Sequence, residues 1–501
     1  MKSKFSVALG AAFLMIPAMA FAAELRIGDP APALEVQKWV KGTPVDLAAA
    51  KDKQIIVMEF WATWCAPCIE SIPHLTDMQK KYGPQGVAVI GMTSEDGENT
   101  LAKVEEFVAK QGAKMGYAIA FDKDHKTEAA YMEASGQQGI PTAFVIDKSG
   151  RVAWIGSPFG PLDDVVEQLV AGKYDIDKAR RINDIERRIN STDDANVVLA
   201  AADEWIAIKS DDFDPYAMKF LIYLRDKNEP AKALEVAKTA LTACAANPKA
   251  LVSAAQVFSM DPTNQEATAL ALQAVDSALK LDPTNADAYS TKFGLLAMLK
   301  RYDEAMAFAE SAIKSIKSDG RALASFAAML ASPELGNRCD DLAIQAIELA
   351  IKAEPEEPRH LVAKFDLLAT CKKDMKAAEE TGRYLLEKSG MDAEMLNAFA
   401  WKLLTSPPYQ GKFNALALAV AERGNEISGG KDWSIIDTLA LAKYENGQAA
   451  EAVALEKKAI ELCPPGHPAM EELKIALRRF EAAVEDAKKP ETAAPAAAPA
   501  P

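Results

Sequence analysis

Histidine is scarce in this chain, four in 501 residues, and no two of the four stand close together. Cysteine is nearly as rare, with six, and only one Cys-x-x-Cys pair occurs. A structural zinc site needs four ligands at characteristic spacing. Neither residue type supplies them, so no metal is expected. Basic clusters are absent, and the formal net charge is −15. Such a chain lacks the electrostatic footprint of nucleic-acid binding. Aromatic residues make up only 7%, while alanine is abundant, which suits helices packed closely on small side chains. No long apolar run follows residue 22. No later membrane span, and no stable membrane anchor, is therefore expected.

The first 22 residues differ from the rest. Lys2 and Lys4 begin them, no charge falls between Phe5 and Ala22, and Ala20-Phe21-Ala22 has the small-x-small form of a cleavage site. This pattern predicts a signal peptide removed after Ala22. An uncleaved anchor is the alternative. No cysteine follows the site, which argues against a lipoprotein. The expected location is periplasmic or secreted, where disulfides persist.

The most informative stretch is Glu59-Phe60-Trp61-Ala62-Thr63-Trp64-Cys65-Ala66-Pro67-Cys68, after the apolar run Ile55-Ile56-Val57-Met58. A strand that ends here and a helix that begins would place Cys65 at a helix N-terminus. Unpaired N–H groups and the helix dipole there favour a thiolate, the attacking species in disulfide exchange. Cys65 is the candidate nucleophile, and Cys68, one turn on, the candidate resolving cysteine. A structural disulfide is the plainer alternative. Haem attachment would need His after the second cysteine, where Ile69 stands. Pro67 falls in the first helical turn, where a missing N–H matters little, and should stiffen the loop. Trp61 reads as packing and Trp64 as part of a substrate-facing rim.

The segment resembles the active-site stretch of thioredoxin-like proteins, in detail the TlpA/ResA-like branch of thiol-disulfide oxidoreductases. Gly139-Ile140-Pro141-Thr142 and the strand Ala143–Asp147 resemble that family's cis-proline loop and the strand after it; Lys148-Ser149-Gly150 and a strand Arg151–Ile155 follow. The resemblance covers residues 24–175. It implies that Pro141 is cis, and that the Ile140 backbone pairs with substrate beside Trp64, Pro67 and Thr142. It also puts Glu59 at the position of thioredoxin's buried acid, although thioredoxin has Asp there. Burial would raise the proton affinity of Glu59, letting it take the proton of Cys68. A surface-facing strand residue with no role is the other reading. The resemblance implies no cofactor. It does imply a client protein with a disulfide, and a membrane electron donor of the DsbD/CcdA type.

At this length at least two domains are expected. Strands are predicted at Ile55–Trp61 and Val87–Thr93, helices at Cys65–Tyr82, Leu101–Gln111 and Leu162–Leu169. Residues from Gly28 to Leu47 read as an irregular hairpin. Residues 176–210 read as a connecting helix or helix pair. Beyond 211 strand patterns vanish and the chain repeats. Ala233, Ala305, Ala378 and Ala452 recur at separations of 72, 73 and 74 residues. That is about twice a 36-residue unit, close to the 34-residue tetratricopeptide (TPR) period. Leu439, Gly447, Ala452, Ala459 and Pro464 fit that repeat best, while Lys292 and Phe293 depart from it. About seven units are expected between 211 and 465, closed by an amphipathic helix over 466–487. The predicted fold is therefore an α/β thioredoxin-like domain (23–175), a helical connector (176–210), an all-α TPR-type solenoid (211–487) and a disordered Pro/Ala tail (488–501). Cys244, Cys339, Cys371 and Cys463 read as small buried thiols, and His74, His125, His360 and His467 as surface residues.

The leading expectation is an exported oxidoreductase that reduces client disulfides, with its repeats binding a protein partner. The alternative is an interaction scaffold whose redox domain is auxiliary. A peroxidase site would need Pro-x-x-x-Thr-x-x-Cys, and Ala62 occupies the Thr position. Copper delivery would favour a wider cysteine spacing.

Overall fold

The computed structural model describes residues 24–388 and 390–488. The expected signal segment and the tail from 489 onward lie outside the described residues. Lys488 still belongs to the last helix, so the helical part runs one residue further than expected. Two compact units are present, one ending at Lys209 and the other beginning at Ser210.

The first unit is built on β2 (Ile55–Phe60), after β1 (Val36–Lys41) and a short α1 (Leu47–Ala50). Then come α2 (Ala66–Tyr82), β3 (Val87–Thr93), α3 (Leu101–Gln111), β4 (Ala118–Asp122), α4 (Lys126–Glu128), β5 (Thr142–Ile146), β6 (Val152–Gly156) and α5 (Leu162–Val170). The sheet order is β1-β4-β3-β2-β5-β6. β2 runs parallel to β3 and antiparallel to β5. All six β2 residues are buried, as expected of a central strand covered on both faces. Its alternation divides two cores: Ile55, Val57 and Trp61 pack with α2, while Ile56, Met58 and Phe60 pack with Tyr131 and Phe144 on the other face.

The expected hairpin over residues 28–47 does not form. Val36–Lys41 pairs with β4 instead, and Pro30 bridges Arg151. The chain can leave β1 only because Gly42, at φ +77°, carries no side chain: a Cβ there would lie 2.8 Å from the Ala118 Cα. β4 itself was not foreseen, its alanines being weak strand formers.

α6 (Ile176–Asn190) and α7 (Ala195–Ile208) form the expected helix pair. α6 is fastened to the sheet. Arg180 meets Asp29 at 3.6 Å, Arg26 meets Asp184 at 3.8 Å, and Arg187 pairs with Glu24. Ile176 is buried against Ile27 and Ala153, and the nearby Tyr174 hydroxyl donates to the Ala153 carbonyl. Apolar burial supplies most of this attachment, since exposed ion pairs contribute little.

The second unit is all helix among the described residues. α8 (Asp214–Leu221), extended by a π-helical turn (Ile222–Asp226), precedes α9 (Pro230–Ala243). The following pairs are α10 (Pro248–Phe258) with α11 (Gln265–Leu281), α12 (Ala286–Met298) with α13 (Tyr302–Ser315), and α14 (Gly320–Leu330) with α15 (Asp340–Ala353). Then come α16 (Pro358–Thr370) with α17 (Met375–Lys388), α18 (Ala393–Thr405) with α19 (Asn414–Ile427), α20 (Trp433–Glu445) with α21 (Ala449–Leu462), and a final α22 (Met470–Lys488). Most helices pack on their neighbours in sequence, while α13 and α17 also pack on the next helix but one, α15 and α19, an array of the solenoid type. Ala233, Ala305, Ala378 and Ala452 lie on the second helix of alternate pairs and are at most 1% exposed. Methyl groups at those positions let the helices approach closely. Asn or Asp side chains cap α10, α11, α12, α14, α18 and α20 at their N-termini, satisfying first-turn donors.

Cys244, Cys339 and Cys463 are buried and Cys371 is half-buried. His360 is not a surface residue. It is buried, and its Nε2 lies 2.9 Å from Glu354. No helix among the described residues is long and apolar enough to cross a membrane.

Candidate active site

Cys65 stands at the junction of strand and helix. It is the N-cap of α2, and the Cys68 N–H donates to its sulfur at 3.2 Å. The helix start thus directs a backbone donor at Cys65 Sγ, which favours negative charge there. Cys65 and Cys68 form a disulfide, with Cα atoms 5.2 Å apart. Cys65 is 4% exposed and Cys68 fully buried, so a partner molecule reaches Cys65 first.

Three elements place the remaining candidates. Pro67 is exposed in the first turn of α2. The loop before β5 brings Ile140 to the pair, its carbonyl oxygen 3.9 Å from Cys65 Sγ, and the Ile140–Pro141 peptide is cis. Thr142 is buried, and its hydroxyl donates to the Gly139 carbonyl at 2.7 Å, inside the loop rather than on its outer side. Trp64 is 52% exposed, while Trp61 is buried. Beside the disulfide lies a groove of about 260 Å³, lined by Trp61, Trp64, Asp96, His125, Glu128 and Ile140 among others.

Glu59 lies under the sheet surface with no exposed area. It points to the same face as α2, since it alternates with Val57 and Trp61. Burial pushes its pKa up to about 8, against a smaller opposing effect from the Ser71 hydroxyl. Ser71 Oγ reaches both Glu59 Oε1 and, at 2.8 Å, the Cys68 carbonyl oxygen. One hydroxyl has one proton to donate. With Glu59 protonated, the carboxyl can donate to Ser71 and Ser71 to the Cys68 carbonyl. With Glu59 ionised, Ser71 turns to the carboxylate. The carboxyl is thereby linked to the backbone of Cys68 through one side chain.

Sequence reasoning missed the residues that hold this arrangement. Asn99 is fully buried and latches the loop before Cys65: its Oδ1 accepts from the Thr63 N–H and hydroxyl, each at 2.9 Å. Its Nδ2 donates to Thr93 Oγ1 and the Ser94 carbonyl. Asp96 accepts from Trp64 Nε1 at 2.9 Å, fixing the rim indole. Partial burial works to raise the Asp96 pKa, but donors from Glu98, Trp64 and Asn99 outweigh it and hold the carboxyl below its usual range. Asn99 and Asp96 lie more than thirty residues from Cys65 in sequence, so no local pattern could point to them. Ser71, three residues after Cys68 on one helix face, was within reach of such reasoning.

Comparison with known proteins agrees with this geometry. The AhpC/TSA family matches residues 27–155. The thiol-disulfide oxidoreductase ResA of Bacillus thuringiensis (strain Al Hakam) is 33% identical over 129 residues, 26% of this chain and 68% of that protein. Protein FixW of Rhizobium leguminosarum is 27% identical over 157 residues, 30% of this chain and 70% of that protein. A crystal structure of a putative thiol:disulfide interchange protein DsbE from Chlorobium tepidum is 29% identical, spanning 30% of this chain and all of that one, at a TM-score of 0.25. Through its N-terminal part, this chain belongs to the AhpC/TSA thioredoxin-like family beside the ResA proteins, and it is a thiol-disulfide oxidoreductase.

Proposed function

We propose that the protein is an exported reductant of client disulfides, working through Cys65, Cys68 and Glu59, and that its helical unit is a TPR-type array holding a protein partner. The observation that carries the redox part is Cys65 at the N-cap of α2, with the Cys68 N–H on its sulfur and buried Glu59 linked to Cys68 through Ser71. In the reduced protein, the Cys65 thiolate attacks one sulfur of the client disulfide. The other client sulfur leaves and takes up a proton. Glu59 accepts the Cys68 proton, Cys68 attacks Cys65 Sγ, and the second client sulfur leaves. Two electrons pass to the client, and the protein is left with the Cys65–Cys68 disulfide. A membrane dithiol donor of the DsbD/CcdA type would restore the dithiol. Trp64, Pro67, Ile140, Pro141 and Thr142 shape the client-facing side, with Thr142 acting from inside the loop.

The period of the buried alanines and the paired helices support the TPR reading. So does a groove of about 430 Å³ along α10, α12 and α14, where Gln256, Ser290, Thr291, Met298 and Met329 offer mixed polar and flexible apolar contacts to a partner. The location is proposed to be periplasmic or secreted, from the signal-like residues 1–22.

The direction of electron flow is tested by equilibrating the protein with defined thiol buffers. A reduction potential of roughly −270 mV or lower supports a reductant, whereas about −120 mV makes it an oxidant and overturns the proposal.

A further inference from the structure

A glycine inside a helix weakens it, and Gly294 of α12 has no packing reason to be one. Only proline is less favourable in a helix interior. Where glycine stands inside other helices of this unit, a neighbour explains it. A Cβ on Gly382 of α17 would lie 2.5 Å from Leu416 Cδ2, and one on Gly424 of α19 would lie 3.4 Å from Leu396 Cβ. A Cβ on Gly294 would meet nothing within 4 Å. The Gly294 backbone is helical, so any side chain could follow its dihedrals. The open space is the groove along α10, α12 and α14, which Gly294 lines. The fold has room for a side chain there, and it is the groove that glycine keeps clear.

The residues around Gly294 say what the space fits. Asp287, Thr291, Gly294 and Met298 follow one another at helical spacing on α12 and form one stripe. Gln256 joins them from α10, its Nε2 donating to Thr291 Oγ1 at 3.3 Å, and Met329 lines the groove from α14. That bond uses a lone pair of Thr291 and leaves its hydroxyl proton for another acceptor. Met298 is 40% exposed, and methionine adapts to apolar side chains of varied shape. Among the described residues that line the groove, Asp287 alone is charged, in a chain of net charge −15. Charge complementarity favours a cationic group at that end and disfavours an acidic occupant. At 1.5 Å per residue, Asp287 and Met298 lie about 16 Å apart along the helix, roughly the length of five extended residues.

We propose that this groove holds an extended polypeptide segment whose main chain passes over Gly294, with a Lys or Arg side chain at Asp287 and a large apolar one at Met298 and Met329. This rests on the helical unit being the partner-binding part of the protein. A backbone comes closest to a helix where no Cβ intervenes, and its peptide groups there meet the Thr291 hydroxyl and the Gln256 amide. Gly294 is then a specificity residue, which gives up helix stability to admit main chain.

The test screens the full chain against an immobilised library of capped peptides of about nine residues, long enough to span the stripe. The peptides contain no cysteine, so Cys65 cannot capture them. Fluorescence anisotropy then gives the affinity of the best binders for wild type, Gly294→Ala, Gly294→Leu and Asp287→Asn, and helical circular dichroism follows the unfolding of each variant. Retained peptides should carry Lys or Arg about five residues from Leu, Met or Phe, with few acidic residues. Gly294→Ala should raise the unfolding midpoint and yet weaken these peptides about tenfold or more. Gly294→Leu should abolish their binding, and Asp287→Asn should erase the preference for a cation. A merely structural glycine would move the two readouts together, because a variant at least as stable as wild type would bind as well. Peptides held equally by wild type and Gly294→Leu, or acidic peptides among the best binders, would overturn the proposal and leave the partner-binding reading standing. A library from which nothing is retained would defeat both the proposal and this groove as a partner site.

Discussion

Replacing Glu59 with glutamine should make the first unit more stable in alkaline solution, at an acid residue the protein keeps. Glu59 has no exposed area, and burial lifts its pKa from 4.5 to about 8. The folded protein therefore holds a proton that the unfolded chain releases between those two values. Stability from this group is fully present below about pH 4.5 and is lost as pH rises through about 8. At 1.36 kcal/mol per pH unit, the full span amounts to about 5 kcal/mol. Glutamine keeps the shape and the acceptor for Ser71 but does not titrate. Its amide N–H groups lack an evident partner, which costs about 1–3 kcal/mol at every pH. Near pH 5 the variant should fall below wild type by up to about 2 kcal/mol, and near pH 9 it should exceed wild type by about 2–4 kcal/mol. Denaturant-dependent hydrogen exchange on peptides covering β2 to β5, read by mass spectrometry at pH 5, 7 and 9, isolates this unit from the helical one. Two profiles that stay parallel across that range would refute the reasoning, because they would mean that Glu59 titrates normally.

Two further outcomes concern the helical unit. Phe365 is fully buried, with ring centroids 5.0 Å from Phe413 and 5.2 Å from Phe399; Phe365→Ala should destabilise that unit by about 3–5 kcal/mol in denaturant unfolding, and a loss below about 1 kcal/mol would contradict this packing. Glu456 is fully buried facing Asp437, and burial followed by the Asp437 charge raises its pKa. The same sign applies, so this carboxyl contributes stability that is lost as pH rises above the ordinary carboxylate range. Thermal melts of Glu456→Gln should gain on wild type steadily from pH 5 to pH 9, and a gain that shrinks with pH would reverse the assignment.

How much was legible in the sequence depended on whether the signal was local. The strand into Cys65, the helix from it, and the alanine period of the repeats are each written in neighbouring residues, and each appears where the pattern put it. β1 was read wrongly because its partner, β4, lies some eighty residues away, and strand pairing at that range leaves no mark on a hairpin-length window. Glu59 could be located from its apolar neighbours, but the hydroxyl that links it to Cys68 depends on how α2 lies across β2. Asn99 belongs to the same class: it is an ordinary polar residue in sequence, and its hold on the loop before Cys65 follows only from the closed sheet. His360 misled for a similar reason: a histidine among charged residues, Glu356, Glu357 and Arg359, looks exposed until α16 turns it inward toward Glu354.

The central claim is that Cys65 attacks and Cys68 resolves. Mixing the reduced protein with a disulfide-bonded peptide, quenching with an alkylating agent and weighing the products tests it directly. Wild type should release one reduced peptide for each Cys65–Cys68 disulfide formed, and Cys68→Ser should stop with the peptide bound to Cys65. Cys65 and Cys68 both recovered alkylated, or the peptide attached to Cys68 or to one of the four cysteines of the helical unit, would contradict the account.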